Sequence, residues 1–548
     1  MTHGDPRPID VGLLNPVSAG RDDAASDARV LAGLVEAEIA LVRAYAAVVI
    51  PDEAGAAGTI ASDEAGATGA AVSDDTGATV PDESGAATAA GGEAAAAGPL
   101  SVAGLRAAVA DVDALRDVAI DPSRLALEAV AGGNPVIALA KHLRAGSSDA
   151  LRPWVHRGAT SQDILDTALV LVARDASEQI LADLARVDAA LAAFAARERD
   201  TVAAGRTLTQ HAVPTTVGLR AANWLRGVRR AASGLAEARA QLPAQLGGAG
   251  GTLAATVELF RGSAELTGAT GDARPAGALR RDTAESASRG SSDAKVPSLG
   301  DSAASQHDPA GAEHAGASLG ADLAHARARA AALRDAYADA LGLARSDAPW
   351  HTTRWPVTEL GDALTRAIDA LGIIATDVAT LSRTEIGELA EPSGGGSSAM
   401  PQKQNPARSV LIRSAAIRAP QLNATLHLAS ALAADERPDG AWHAEWPALR
   451  DLLRVALGAA SHAADLTEGL RVNRDAVARN LRATDGLIVS ERLSAVLGKD
   501  AAARVVAGVA EGGDIAALVR AEGGDPALLD PADYTGLAGD LVDRVSDN

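Results

Sequence analysis

The sequence predicts an all-α protein built around long helices. Three observations predict it: apolar residues recur three or four apart over long stretches, alanine is abundant, and no convincing two-residue alternation marks a strand. From Thr358 to Glu391 the apolar stripe is Leu360, Leu364, Ile368, Leu371, Ile374, Val378 and Leu381, with Pro356 before it and Pro392 plus three glycines after. At 1.5 Å per residue such a helix would reach roughly 50 Å. Gln162 to Arg197 is the second long candidate, and Ala407 to Ala434 the third, with a kink expected at Pro420. Shorter amphipathic helices are expected over Val102–Ile120 and Leu319–Leu343. Helices this long usually bury their stripes against one another, often between subunits.

Two stretches break the pattern. Residues 51–99 hold nine acids, no base, no aromatic and no leucine, with acidic pairs at Asp52-Glu53, Asp63-Glu64, Asp74-Asp75 and Asp82-Glu83 in a degenerate repeat. Such a segment cannot bury enough apolar surface to offset its ordering entropy, so disorder is expected. Residues 262–317 are similar but mixed in charge, interrupted by Pro275, Pro297 and Pro309; an inserted disordered loop is expected, with a functional lid as the alternative. Removing both tracts from the 548 residues leaves 443, and lowers the formal charge of -21 to -9. The expected organisation is an N-terminal helical domain (1–150), a central long-helix bundle (151–455) and a C-terminal helical domain (456–548).

Composition narrows the chemistry. With no cysteine there is no disulfide, thiolate metal site or cysteine nucleophile. The acidic balance without a basic block argues against nucleic acid or an anionic membrane as partner. The first residues lack a signal pattern and no run of 18 apolar residues occurs, so a soluble, cytoplasmic protein is expected. Five of six tryptophans (Trp154, Trp350, Trp355, Trp442, Trp446) fall in polar, turn-rich segments, where they either plug helix ends or wall a pocket.

The segment richest in chemistry is Gly394-Gly-Gly-Ser397-Ser398-Ala-Met-Pro-Gln-Lys403-Gln-Asn405-Pro406, between two long helices. Its glycines let backbone amides approach a ligand, Ser397 and Ser398 supply hydroxyls, Lys403 a point charge and Asn405 a bifunctional amide. Pro406 then opens a helix whose N-terminus favours an anion. By composition alone, an anion-binding loop and a flexible interhelical linker are equally good readings.

This string resembles the signature loop of the fumarase/aspartase superfamily. That resemblance implies Ser397 as the catalytic base, acting as an alkoxide, with Lys403 and Asn405 on a substrate carboxylate. His156-Arg-Gly-Ala-Thr160-Ser161-Gln162-Asp163 is similar to a second signature region, in which Thr160 and Ser161 would hydrogen-bond a carboxylate; Ser161 would also serve as a helix cap. Arg206-Thr207-Leu208-Thr209-Gln210-His211 is similar to the third, where the lyases usually carry histidine at the place of Leu208. Gln210 is then a substrate contact, and His211 is the candidate for an auxiliary acid/base role. Within the family, the details most resemble the bacterial 3-carboxy-cis,cis-muconate cycloisomerases, through Gln245-Leu-Gly-Gly-Ala-Gly-Gly-Thr252, Pro349-Trp350-His351-Thr-Thr-Arg354 and Ala444-Glu445-Trp446. Arg354 is a candidate clamp because guanidinium binds carboxylate bidentately, the alternative being a structural ion pair.

The resemblance implies lactonisation of 3-carboxy-cis,cis-muconate without cofactor or metal, a small polycarboxylate substrate, and a homotetramer whose sites are each shared by three subunits. The rivals are another lyase on this scaffold, of nitrosuccinate or adenylosuccinate type, and a non-catalytic helical assembly. Leu208 speaks against adenylosuccinate chemistry; intact Ser397, Lys403 and Asn405 speak against the last.

Overall fold

The computed structural model describes residues 12–50, 101–262, 309–393, 395, 400 and 403–546, with backbone alone for 309–319. The acidic tract 51–99, most of the second tract, and Ser397 and Ser398 lie outside the described residues.

The chain is helical as expected. In order, the helices are α1 (Asp27–Val49), α2 (Val102–Asp111), α3 (Pro122–Gly132), α4 (Val136–Gly146), α5 (Ser161–Arg197), α6 (Val217–Ala240), α7 (Ala254–Gly262), α8 (Pro309–Leu341), α9 (Trp355–Leu381), α10 (Ala407–Ala431) and α11 (Gly440–Glu468). Five smaller ones follow: α12 (Arg474–Leu481), α13 (Ser490–Leu497), α14 (Lys499–Ala510), α15 (Ile515–Ala521) and α16 (Ala538–Ser546). The bundle is made of α5, α6, α9, α10 and α11, which pack on one another along their lengths. Close packing needs small residues: a Cβ on Gly372 of α9 would lie 2.8 Å from the Ala416 side chain of α10. At 1.5 Å per residue, the 37 residues of α5 span roughly 55 Å.

Several expected boundaries move, for local reasons. The Thr358–Glu391 helix runs instead from Trp355 to Leu381; the chain then turns at Gly387 (φ 62°), and the Glu388 amide donates to the Leu381 carbonyl. Val102–Ile120 divides into α2 and a 3-10 turn at Val112–Asp117. Helix α8 starts at Pro309, inside the stretch expected to be loop. A domain break after residue 455 would fall within the continuous α11; the small apolar cluster of Leu493, Ala502, Val505 and Val519 forms beyond it.

The absence of strands needs correction. Strands β1 (Val202–Thr207) and β2 (Gln210–Thr216) form an antiparallel hairpin, and β3 (Leu389–Ala390) pairs with β4 (Arg471–Val472). A bulge between Ala204 and Arg206 breaks the alternation that would have revealed the hairpin. Leu208 and Thr209 make its two-residue turn at φ 47° and 70°. Such turns need positive φ at both positions, and for Leu and Thr that costs about 1–3 kcal/mol each.

Candidate active site

The bundle has two ends, and the expected site residues divide between them. At the first end lie the N-terminus of α5, the 243–248 turn, the segment before α9 and the start of α11. Asp163, fully buried, is the node there. Its Oδ2 accepts the amides of Thr160 and Gly248, both at 2.9 Å. Its Oδ1 accepts the Gly247 amide and His351 Nε2, both at 2.8 Å. Gly248 sits at φ 71°, and a Cβ there would lie 3.2 Å from the Gly158 carbonyl, so glycine is required. Thr160 and Ser161 are fixed by this node at the mouth of α5, each 9% exposed. Beside them, His156 (φ 58°) is held through its amide and Nδ1, both 2.7 Å from the buried Glu38 carboxylate.

Arg354 shares this end but not the expected role. It is 2% exposed and enclosed by carboxylates: Nη1 lies 2.6 Å from Asp166 Oδ2, and Nη2 lies 2.7 Å from Glu445 Oε2. Nη1 also reaches the Trp350 carbonyl, Trp350 stacks under the guanidinium at 4.7 Å, and Trp442 Nε1 donates to Asp166 at 2.8 Å. The guanidinium is engaged internally, so a substrate clamp at Arg354 gives way to a buried ion triad. Burial raises the Glu445 carboxyl above its ordinary range, and Arg354 only partly offsets that. Removing one member of a buried ion cluster strands the others. Arg354→Met is therefore expected to cost about 3–5 kcal/mol, read as a lowered thermal midpoint; an unchanged midpoint would contradict the triad's role. Trp154, Trp350 and Trp442 are each 2% exposed, so these rings fill helix ends.

At the second end stand the β1–β2 hairpin and the signature loop. Buried Glu388 holds the hairpin: Arg206 donates to both its oxygens at 2.5 and 3.2 Å, and Asn480 Nδ2 donates at 2.8 Å. Burial alone would raise the Glu388 carboxyl, but the hydrogen bonds and charge of Arg206 outweigh it and hold the group below its ordinary value of 4.5. This stabilisation is complete above the unfolded-state value and is lost as pH falls through the depressed one. Acid unfolding of Glu388→Gln, followed by circular dichroism, is accordingly expected to depend less on pH below 4.5 than that of the unmodified chain.

His211 is half-buried on β2; desolvation, then the Arg206 charge, depress its pKa, so it is neutral at pH 7 and able to accept a proton. Gln210 is exposed at the tip, and Leu208 is 96% exposed. The loop is zipped at its base, where the Gly395 and Asn405 amides exchange hydrogen bonds with each other's carbonyls at 2.8 and 3.2 Å. Lys403 is exposed, and Asn405 is half-buried. The anion expected at the start of α10 is internal: the Glu391 carboxylate accepts the Arg408 and Ser409 amides at 3.1 and 2.8 Å.

Thus Gln210, His211, Lys403 and Asn405 gather at one end of the bundle, and Thr160 and Ser161 stand at the other, roughly 55 Å of helix away. Sequence reasoning missed the fixing carboxylates Asp163, Glu38, Glu388 and Glu391. Only Asp163 carried a local signal, three residues after the Thr160 cap.

A long-helix bundle with a glycine- and serine-rich segment between two of its helices fits a class of helical lyases. The lyase family model matches residues 84–267 and 303–420, and the chain belongs to that family, the fumarase/aspartase superfamily of enzymes. It is 38% identical to the nitrosuccinate lyase of Streptomyces davaonensis over 98% of this chain and 94% of that one. It is 35% identical to a 3-carboxy-cis,cis-muconate cycloisomerase of Pseudomonas aeruginosa over 80% and 86%. The 3-carboxy-cis,cis-muconate lactonizing enzyme of Pseudomonas putida superposes with a TM-score of 0.65 at 29% identity, covering 94% and 93% of the two chains. Among the described residues, no helix is long and apolar enough to cross a membrane.

Proposed function

We propose that this enzyme eliminates nitrite from nitrosuccinate to give fumarate. The observation that carries the reading is the end-to-end likeness to nitrosuccinate lyase, 38% over 98% of the chain. A base removes the proton from the methylene carbon, the carbon–carbon double bond forms, and the C–N bonding pair departs with nitrogen as nitrite. Charge builds on the carboxylate next to the deprotonated carbon, so fixed donors must face it. Ser397 serves as base, and Lys403, Asn405, Ser398, Thr160 and Ser161 supply the donors.

Leu208 fits this chemistry. Nitrite is the conjugate base of a weak acid that is fully ionised at neutral pH, and it leaves without protonation, so a hairpin tip without imidazole loses nothing. His211 and Gln210 then contact substrate without delivering a proton to the leaving group. Because the two groups of site residues stand at opposite ends of α5, the site is completed by neighbouring chains of a homotetramer.

The second reading is lactonisation of 3-carboxy-cis,cis-muconate, supported by the cycloisomerase relative and the lactonizing-enzyme structure. It too involves a stable anion, since its reverse expels a carboxylate. Side-by-side assays decide: nitrite and fumarate in equal amounts are expected from nitrosuccinate. Loss of the carboxymuconate ultraviolet band with no nitrite release would favour the cycloisomerase.

A further inference from the structure

The Asp163 node does more than cap a helix. An ionised carboxylate has about four acceptor positions, and Asp163 fills them with the Thr160, Gly247 and Gly248 amides and His351 Nε2. These donors come from the capping turn itself and two distant segments, while both Asp163 and His351 are at most 4% exposed. Gln162, between the capping pair, donates through Nε2 to the His351 carbonyl at 2.9 Å, so His351 grips the first turn of α5 twice. A Cβ on Gly247 would lie 2.8 Å from His351 Cε1, so the glycine is what lets the imidazole pack against this turn.

We propose that His351, acting through Asp163, is a positioning residue for the carboxylate-binding turn Thr160–Ser161. This rests on the lyase reading above, in which that turn holds a substrate carboxylate. The physical point is electrostatic. Asp163 is a negative group at the helix mouth where a second negative group must bind, and like charges there repel. With all four acceptor positions filled, its oxygens face the Gly247–Gly248 turn and the imidazole. Thr160 and Ser161 keep a narrow exposure, 9% each, at the mouth of the helix. If the imidazole is removed, Oδ1 keeps only the Gly247 amide, and the carboxylate is held less firmly away from the substrate side.

The test compares His351→Phe with His351→Gln, which keeps an N–H donor. His351→Phe is expected to raise KM for nitrosuccinate about 10- to 100-fold, with a much smaller change in kcat. Amide hydrogen exchange of Thr160–Asp163 rises in this variant, while the remainder of α5 keeps its protection. His351→Gln recovers most of both. The assignment is overturned if His351→Phe keeps the original KM, or if it lowers the thermal midpoint with KM and local exchange unmoved. If the unmodified enzyme does not convert nitrosuccinate, the substrate reading fails. The exchange comparison then still decides whether His351 positions the turn.

Discussion

Ser397→Ala is expected to lower kcat by about 10²- to 10⁴-fold while KM changes little, because it removes the proposed proton acceptor. The described ends of the loop are joined by the Gly395–Asn405 backbone pair, and α10 is capped by Glu391. Lys403→Met, by contrast, removes a point charge proposed to act on substrate and on the transition state alike, so KM should rise along with any loss in kcat. The comparison is made by following nitrite release over a range of substrate concentrations. Near-normal turnover by Ser397→Ala would remove the serine from the chemistry. A large rise in KM with full kcat would make it a binding group instead.

The sequence made some parts of this molecule legible and hid others, for reasons of range. Helix α5 begins one residue before its expected start, because a continuous apolar stripe and a cap signal are both local. Helix α10 begins at Ala407 as expected, directly after Pro406. The chemistry around Arg354 could not be read that way. Its partners Asp166 and Glu445 are 188 and 91 residues distant along the chain, so spacing could not separate an internal triad from a substrate clamp. The same holds for Asp163, whose donors include residues 84, 85 and 188 positions away. The hairpin was hidden differently, by a bulge and by turn residues, Leu208 and Thr209, that lack the usual Asn-Gly signature.

Ile417→Asp is expected to dissociate the proposed homotetramer and to abolish at least about 99% of the activity, with helical content preserved. The expectation begins with an apolar stripe left open to solvent on α10. Val410, Ile417 and Leu428 are 53, 69 and 64% exposed, and they fall seven and eleven residues apart, close to two and three helical turns. Ile373 of the neighbouring α9 is 59% exposed as well. An aligned row of exposed aliphatic side chains on two bundle helices is suited to burial against another copy. A carboxylate placed in such an interface is desolvated without a partner and is met by its own symmetry mates, at a cost of several kcal/mol per ion. Activity should fall with the assembly, because Thr160 and Ser161 stand roughly 55 Å of helix from the hairpin and loop end of the same chain. A single chain therefore cannot bring both to one substrate carbon. Sedimentation and nitrite release measured on the same sample test the link. A monomer with full activity would show that one chain suffices, and an Ile417→Asp enzyme of unchanged mass would show that this stripe is not the interface.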